Sequence, residues 1–437
     1  MISVVMEQKY FYILTFGCQM NSNDSERVAS LLLSLGLQET KSSETADLLV
    51  VNTCSVRQSA EDRVWGFIRN WQEYRQNKPN LVIAVTGCMP GRDKNGKIQK
   101  RLPGVDLFFP IEELTLLPKR LAELNPEILP NSFTDLQDYL SINPSRGVPY
   151  RASIAIQTGC NNFCTYCVVP YARGRERNRP VVEIVNEIKK AAESGVKEVV
   201  LLGQVVNNYH ASTGEDFADL LKIINSIDGL ERVHWTAADP QYFDDNQIRA
   251  LNFPKQLNYL HLPVQSGDNE VLKKMNRHYT SEYYIDLIKK IRNTNPEIAI
   301  GTDIIVGFCG ETDKQFQNTV DLCKQCDFDI VYLARYSERS GTVAAQAFKD
   351  DVPKIVKKQR WEILQHLMEE IVLKKNQKYN GQVVSVLVEK CNEGICSGNS
   401  REMKVVQFLG APNLVGQIVQ VKINQAEMWR LKGVQIK

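Results

Sequence analysis

The chain has 437 residues, 43% hydrophobic and 24% charged, with a formal net charge of +2, an ordinary soluble composition at a length that supports two or three domains with real cores. No stretch approaches the roughly 20 uncharged apolar residues of a membrane span, and no basic run followed by an apolar core marks a secretory signal. A cytoplasmic protein without membrane association is expected, its eleven cysteines serving as reduced thiols and metal ligands rather than disulfides.

In chain order, Phe11–Phe16, Asp47–Val51 and Leu81–Val85 read as strands separated by helical stretches, a parallel α/β layer. A cysteine follows each strand: Cys18, Cys54 and Cys88, at steps of 36 and 34 residues. In an open parallel sheet the strand ends form one edge, where ligands bind. The three thiols could therefore converge, and three thiolates leave one iron of a four-iron cluster unprotected. Three small buried residues at strand ends are the alternative. Residues 126–148 carry several prolines and little periodicity and read as a linker.

The strand Ala152–Ile156 leads into Gly159-Cys160-Asn161-Asn162-Phe163-Cys164-Thr165-Tyr166-Cys167. This is C-x3-C-x2-C with no fourth thiol nearby. Four thiolates would close a [4Fe-4S] cluster for electron transfer, whereas three leave an iron open to a substrate or cofactor. A zinc knuckle and scattered structural cysteines are the alternatives, although no His or further Cys follows at zinc-like spacing. Arg173, Arg175, Arg177 and Arg179 follow at alternate positions. They suit phosphate contacts, or else a solvent-facing role with pairing to Glu176.

Strand-like runs then recur at Glu198–Leu202, Val233–Trp235, Tyr259–Leu262, Ala299–Gly307 and Asp329–Leu333, with helices between them. Six such strands predict an open (β/α)6 barrel with Gln204, Gln265, Ser266 and Asp303 at the strand ends facing its mouth. Cys323 and Cys326 resemble a C-x2-C motif, but Cys323 lies in a helical pattern with Phe316 and Val320, which makes it core rather than a metal or redox residue. Cys309, Cys391 and Cys396 are isolated and carry no assigned role.

From Val352 to Lys437 there are 14 Lys and Arg against 7 Asp and Glu, with 39 against 44 in the remainder. A basic tail on a mildly acidic body points to a polyanion such as RNA or DNA; a solvated helix before a basic small domain is the alternative. Lys357–Lys378 reads as an amphipathic helix. Runs at Gln382–Val388, Met403–Phe408, Gln417–Ile423 and Trp429–Val434 then predict a small antiparallel barrel of the kind that binds oligonucleotides.

The three-cysteine spacing resembles the radical S-adenosylmethionine (SAM) superfamily, and the whole chain resembles methylthiotransferases of the MiaB type. The stretches that carry the likeness are Gly17-Cys18-Gln19-Met20-Asn21 with Asn23-Asp24-Ser25-Glu26, Asn52-Thr53-Cys54-Ser55-Val56-Arg57, and the cysteine loop through Pro170-Tyr171. Leu201-Leu202-Gly203-Gln204, His261-Leu262-Pro263-Val264-Gln265-Ser266-Gly267 and Tyr336-Ser337 complete the set. The resemblance implies an α/β protein of three parts. These are a parallel α/β methylthiotransferase domain over residues 8–125, an open (β/α)6 radical SAM barrel over 149–373 and a small antiparallel, OB-like TRAM barrel for RNA over 374–437.

It implies two [4Fe-4S] clusters, an auxiliary one on Cys18, Cys54 and Cys88 and a radical-generating one on Cys160, Cys164 and Cys167 that binds SAM. Tyr166 would pack near the SAM adenine, and Gly203, Gln204, Gln265 and Asp303 are the candidates for contacting SAM. The implied reaction puts a methylthio group on carbon 2 of N6-isopentenyladenosine in tRNA, at position 37 beside the anticodon. Carbon 2 bears a strong C–H bond that no side-chain base removes usefully, so the cofactor carries that chemistry. An electron donor and a sulfur source are required, and the protein is expected to be a monomer.

Gln19-Met20 and Tyr171-Ala172-Arg173-Gly174 favour this substrate over threonylcarbamoyladenosine tRNA or a ribosomal protein. A non-catalytic iron–sulfur RNA-binding regulator is the alternative from another class. The chain departs from the family's usual pattern at Cys309, Asn178, Pro90-Gly91, Ala237-Ala238-Asp239-Pro240 and Met403, none of them a cluster ligand.

Overall fold

The computed structural model describes residues 7–55, 58–129 and 138–436. Val56 and Arg57 of the second cysteine motif, residues 130–137 of the expected linker, and Lys437 lie outside the described residues. The chain divides into two compact units. One takes in Met1–Gly147, Gln157–Phe163 and Cys167–Arg179; the other takes in Val148–Ile156, Cys164–Tyr166 and Pro180–Lys437.

The first unit is built on five parallel strands, β1 (Tyr10–Phe16), β2 (Gln38–Glu39), β3 (Leu48–Thr53), β4 (Val82–Gly87) and β5 (Leu107–Phe108), in the order β2-β1-β3-β4-β5. β3 and β4 are buried along their whole length, as parallel strands covered on both faces must be, which is why Leu48–Val51 and Val82–Val85 are unbroken apolar runs. The helices Gln19–Ser34 and Gln58–Tyr74 supply two of the crossovers. Val64, Ile68 and Trp71 of the second pack onto Leu49, Val51, Ile83 and Val85. β2 and β5 were not legible in the sequence, because two residues carry no periodicity.

Three short strands surround the cysteine loop in sequence: β6 (Arg151–Ala155), β7 (Gln157–Thr158) and β8 (Arg177–Asn178). β7 and β8 pair antiparallel within the first unit. Asn178, which departs from the family's usual Ser, accepts a hydrogen bond from Gln157 Nε2 at 3.0 Å and so ties this ladder by its side chain.

In the second unit, β6, β9 (Glu198–Leu202) and β10 (Arg232–Trp235) form one parallel sheet. β11 (Tyr259–His261), β12 (Ala299–Val306) and β13 (Ile330–Arg335) form another. The amide of Val233 donates to the Lys255 carbonyl at 2.7 Å, and that of Leu257 to the Val233 carbonyl at 2.9 Å, which carries the curve from one sheet to the next. The six strands thus run in chain order as the expected open (β/α)6 arc. The helices Val181–Glu193, Phe217–Asn225, Ser281–Thr294 and Asp313–Cys326 press Ile188, Leu221, Ile288 and Val320 onto Leu201, Val233, Leu260 and Ile304 in a single core. Thr312 opens the last of these helices as a capping box with Gln315. Cys323 and Cys326 are 0% and 1% exposed in that core, the first as its helical spacing indicated.

The helix Lys354–Gln377 leads into β14 (Val383–Asn392), β15 (Ile395–Ser400), β16 (Val405–Leu409), β17 (Ile418–Ala426) and β18 (Leu431–Ile436). They close a barrel in the order β14-β15-β16-β18-β17. The barrel is not wholly antiparallel, since β16 and β18 pair in parallel. β15, the run Ile-Cys-Ser-Gly-Asn-Ser, escaped sequence reading because it is mostly small and polar. It follows β14 through a tight turn at Glu393 and Gly394, both of positive φ, which sets Cys391 directly opposite Cys396. The two are joined as a disulfide with Cα atoms 4.0 Å apart, which corrects the expectation of reduced thiols throughout. Spacing alone did not reveal it because the hairpin register creates the pairing.

This barrel seats on the amino-terminal ends of the central strands. Arg232, at the start of β10, donates to the carbonyls of Asn399 and Ser385 at 3.0 and 2.8 Å. Arg151, at the start of β6, pairs with Glu198 and Glu389, each at 2.5 Å. Asp329, just before β13, lies between Lys404 at 3.1 Å and Lys375 at 2.9 Å. Burial raises the Asp329 pKa, but the two ammonium groups and the Ile300 amide outweigh it and hold the carboxyl below its usual range. Its contribution is therefore complete above the unfolded carboxylate pKa and is lost as pH falls through the lowered folded value. Asp329→Ala should strand the buried Lys404 ammonium, Lys375 keeping Asp327 at 3.4 Å, and lower stability by about 3–5 kcal/mol, measured by urea unfolding near neutral pH.

Candidate functional site

In the first unit the sheet register sets the cysteines level. Phe16 lies opposite Thr53, and Thr53 opposite Gly87. Cys54 and Cys88 are each the next residue of their chain, and Cys18 is one further along. The three thiols are close enough that Cys54 and Cys18 act electrostatically on Cys88. Cys18 is exposed, whereas Cys54 and Cys88 are buried. Burial pushes the Cys88 thiol up to about 11, against the pull of the Arg173 guanidinium, and its neighbours Cys54 and Cys18 add to the rise. Among the described residues no three His, Cys, Asp or Glu side chains group closely enough for a single metal ion. A four-iron cluster takes one thiolate per iron, so its thiols stand farther apart than those of a single-metal site.

Two asparagines lock the strand ends and were missed as functional residues. Asn21 accepts from the Cys18 amide at 3.3 Å and donates to Asn52 Oδ1 at 3.1 Å. Asn52 Nδ2 returns a bond to the Asn21 carbonyl at 2.8 Å and reaches Ser25 Oγ at 3.0 Å. Both are 0% exposed. Each lies within three residues of a strand-end cysteine, and that proximity was the available signal. Gly87 serves the same lock: its φ is +99°, and a Cβ there would stand 2.4 Å from Asn52 Oδ1 and 2.7 Å from the Thr53 carbonyl.

The four alternating arginines separate by burial. Arg173 and Arg179 are 4% and 5% exposed, while Arg175 lies over the Phe163 ring at 4.6 Å and Arg177 pairs with Asp138 at 3.3 Å. Arg173 is no solvent-facing phosphate ligand; it donates to Cys88 Sγ and Asp24. Cys160 and Cys167 belong to this unit and receive amide donors, Asn162 N at 3.4 Å and Val169 N at 3.5 Å.

The second unit holds Cys164, Thr165 and Tyr166. The Thr165 amide and hydroxyl donate to the Met275 and Lys274 carbonyls at 3.0 and 2.8 Å, and the Thr165 carbonyl accepts from Ala344 N at 2.7 Å. Tyr166 packs against the cluster of Val271, Met275, Phe308, Cys309, Tyr336 and Ala344, so Cys309, the departure from the usual proline, is a packing residue. Arg277, which sequence reasoning missed, donates to Cys164 Sγ at 3.4 Å and pairs with Asp239 at 3.0 Å.

At the carboxyl ends of the central strands, Gly203 and Gln204 follow β9. Gln204 Oε1 is buried with no hydrogen-bond partner among the described residues, an orphan acceptor that fits a donor on a bound group. Gln265 sits at φ +70°, a strained conformation for a side chain of this type. Its amide donates to the Asp303 carbonyl at 2.8 Å. Asp303 Oδ1 is 3.3 Å from His261 Nε2. The backbone thus brings Gln265 and Asp303 together.

Gly87→Ala should push against Asn52 and displace Cys88. Anaerobically reconstituted protein would then lose about half its iron if each triad carries a four-iron cluster, read by iron assay per chain.

Comparison with known proteins adds to this geometry. Residues 154–323 match the Radical SAM superfamily, residues 10–110 match the Uncharacterized protein family UPF0004 and residues 377–435 match the TRAM domain. A relative from Carboxydothermus hydrogenoformans is 41% identical over 98% of this chain and 100% of its own length. One from Clostridium botulinum is 42% identical over 98% and 97%. Both are named tRNA-2-methylthio-N(6)-dimethylallyladenosine synthase. Among solved structures, the radical SAM methyltransferase TsrM from Kitasatospora setae aligns with a TM-score of 0.57 at 13% identity, covering 90% of this chain and 77% of its own. The cobalamin-dependent SAM radical enzyme OxsB aligns with a TM-score of 0.53 at 12% identity over 84% and 56%. These two likenesses are of fold alone. The chain belongs to the tRNA-2-methylthio-N(6)-dimethylallyladenosine synthase family, within the radical SAM superfamily.

Proposed function

We propose that this protein is a tRNA-modifying enzyme that installs a methylthio group at carbon 2 of N6-isopentenyl(dimethylallyl)adenosine, at position 37 beside the anticodon. The observation that carries the reading is the 41–42% identity, across nearly the whole chain, to synthases of that name. The sequence keeps both cysteine triads and the Gln19-Met20 pair.

Cys18, Cys54 and Cys88 would hold an auxiliary [4Fe-4S] cluster, and Cys160, Cys164 and Cys167 a second one that takes SAM. When bound, these groups supply one-electron cleavage of SAM, removal of the carbon-2 hydrogen atom and a waiting sulfur. The chain's own residues do the holding and shaping. Asn21 and Asn52 fix the strand ends that bear the first triad. Amide donors and Arg277 meet the sulfurs of the second triad and tune it. Tyr166 offers a ring anchored at the Thr165 backbone, Gln204 an unused acceptor, and Gln265 and Asp303 a paired backbone for orienting SAM. The basic TRAM barrel would grip the tRNA phosphates. An electron donor and a sulfur source complete the system, and the enzyme would work in the cytoplasm as a monomer.

Reconstituted, reduced protein is to be incubated anaerobically with SAM, sulfide and tRNA bearing isopentenyladenosine, and the digested nucleosides read by mass spectrometry. A 2-methylthio product is expected. Cleavage of SAM without that product would move the substrate to threonylcarbamoyladenosine tRNA or a ribosomal protein. No cleavage with iron intact would favour a non-catalytic RNA-binding role. Joint replacement of Cys18, Cys54 and Cys88 by Ala should lower iron from about eight to about four per chain and spare SAM cleavage; its loss would overturn the division between the triads.

A further inference from the structure

The first unit buries a charge pair that the reaction above leaves without a task. Arg173 and Asp24 are joined at 2.5 Å with side chains 2% and 1% exposed. Arg173 Nε donates to Cys88 Sγ at 3.3 Å. The pair is held in place from both sides. Asp24 rides on the helix that follows β1. Arg173 ends the helix Val169–Arg173, which meets the helix Cys88–Arg92 so closely that a Cβ on Gly91 would fall 2.0 Å from the Ala172 carbonyl oxygen. This accounts for Gly91, where the family usually has Gln.

One further observation points past a structural ion pair. Arg173 Nη1 and Asp24 Oδ1 are both buried without a hydrogen-bond partner among the described residues. A buried guanidinium N–H left unmet is costly, and a further acceptor in the site would meet it. The sulfides of a cluster on Cys18, Cys54 and Cys88 are acceptors of that kind.

We propose that Arg173 is a positioning residue of the auxiliary cluster, which fixes the Cys88 sulfur and favours uptake of an electron there. The proposal rests on the assignment of Cys18, Cys54 and Cys88 as ligands. The guanidinium meets the Cys88 sulfur through Nε and Asp24 through Nη2. The charge in direct contact with Cys88 is therefore the positive one, in a site shielded from water, where charge acts strongly. Hydrogen bonds to cluster sulfurs and local charge set reduction potentials. One electron enters from an external reductant, and no bond forms or breaks. Arg175 and Arg177 cannot substitute, being engaged with Phe163 and Asp138.

The test uses the full chain with Cys160→Ala, Cys164→Ala and Cys167→Ala, reconstituted anaerobically, so that any remaining cluster signal comes from the first triad. Iron per chain is assayed, then the reduced fraction is read by electron paramagnetic resonance during a dithionite titration with mediators. About four irons are expected; none would overturn the ligand assignment and this proposal with it. Adding Arg173→Met should lower the reduced-to-oxidised ratio at fixed potential at least tenfold, a shift of about 59 mV for one electron. Arg173→Lys should fall between. Asp24→Asn, which bares the guanidinium, should shift the ratio the opposite way. Iron intact with an unchanged ratio in Arg173→Met would overturn the proposal alone. If Arg173→Met fails to hold iron, Asp24→Asn decides: a raised ratio supports the proposal, and an unchanged or lowered one overturns it.

Discussion

A parallel strand hands its next residue to the carboxyl edge of its sheet, and this single constraint places most of the chemistry of this protein. In the first unit Phe16, Thr53 and Gly87 end level, so three cysteines separated by more than thirty residues arrive at one edge. In the second unit the same rule puts Gly203, Gln204 and Gln265 at the ends of β9 and β11. The constraint holds because each parallel strand must return through a helix on the sheet's face, leaving the edge itself free for loops. Short loops then leave little choice in where a thiol or amide can stand.

Much of this was legible before the fold was known. Cys18, Cys54 and Cys88 each follow an apolar run, and regular spacing identified them. The barrel strands announced themselves through β-branched runs between helical stretches. What escaped reading depends on pairings distant in sequence. Nothing in Arg173-Gly174-Arg175-Glu176-Arg177 distinguishes the first arginine; only its burial against Asp24, 149 residues away, does so. Arg277 lies 113 residues from the Cys164 sulfur that it meets. The parallel pairing of β16 with β18 is likewise a property of barrel closure, invisible in alternation along one strand. The Cys391–Cys396 disulfide required the register of a hairpin whose second arm is mostly small and polar.

The two units share a device for handling charge near sulfur. Each offers one cysteine a buried arginine whose charge is balanced by an aspartate: Arg173 with Asp24 at Cys88, and Arg277 with Asp239 at Cys164. A lone guanidinium in such a place would be costly to desolvate. The aspartate lowers that cost while leaving a directed N–H for the sulfur. Burial opposes the protonated guanidinium at both arginines, yet their pKa values lie well above the usual range because neighbouring acidic groups more than compensate. Both remain cationic at any pH the protein meets.

The seating of the C-terminal barrel has a mechanical consequence. Arg151, Arg232 and Asp329 bind it through short, largely buried contacts, with Tyr150 adding a bond to the Glu389 carbonyl at 3.0 Å. A nucleic-acid module on a flexible tether gains from effective concentration and can search a volume. This one forgoes that search. Barrel and strand arc belong to one compact unit, so an RNA held by both, as proposed, would have to present its two contact points at a fixed separation, a demand that a tethered module does not make.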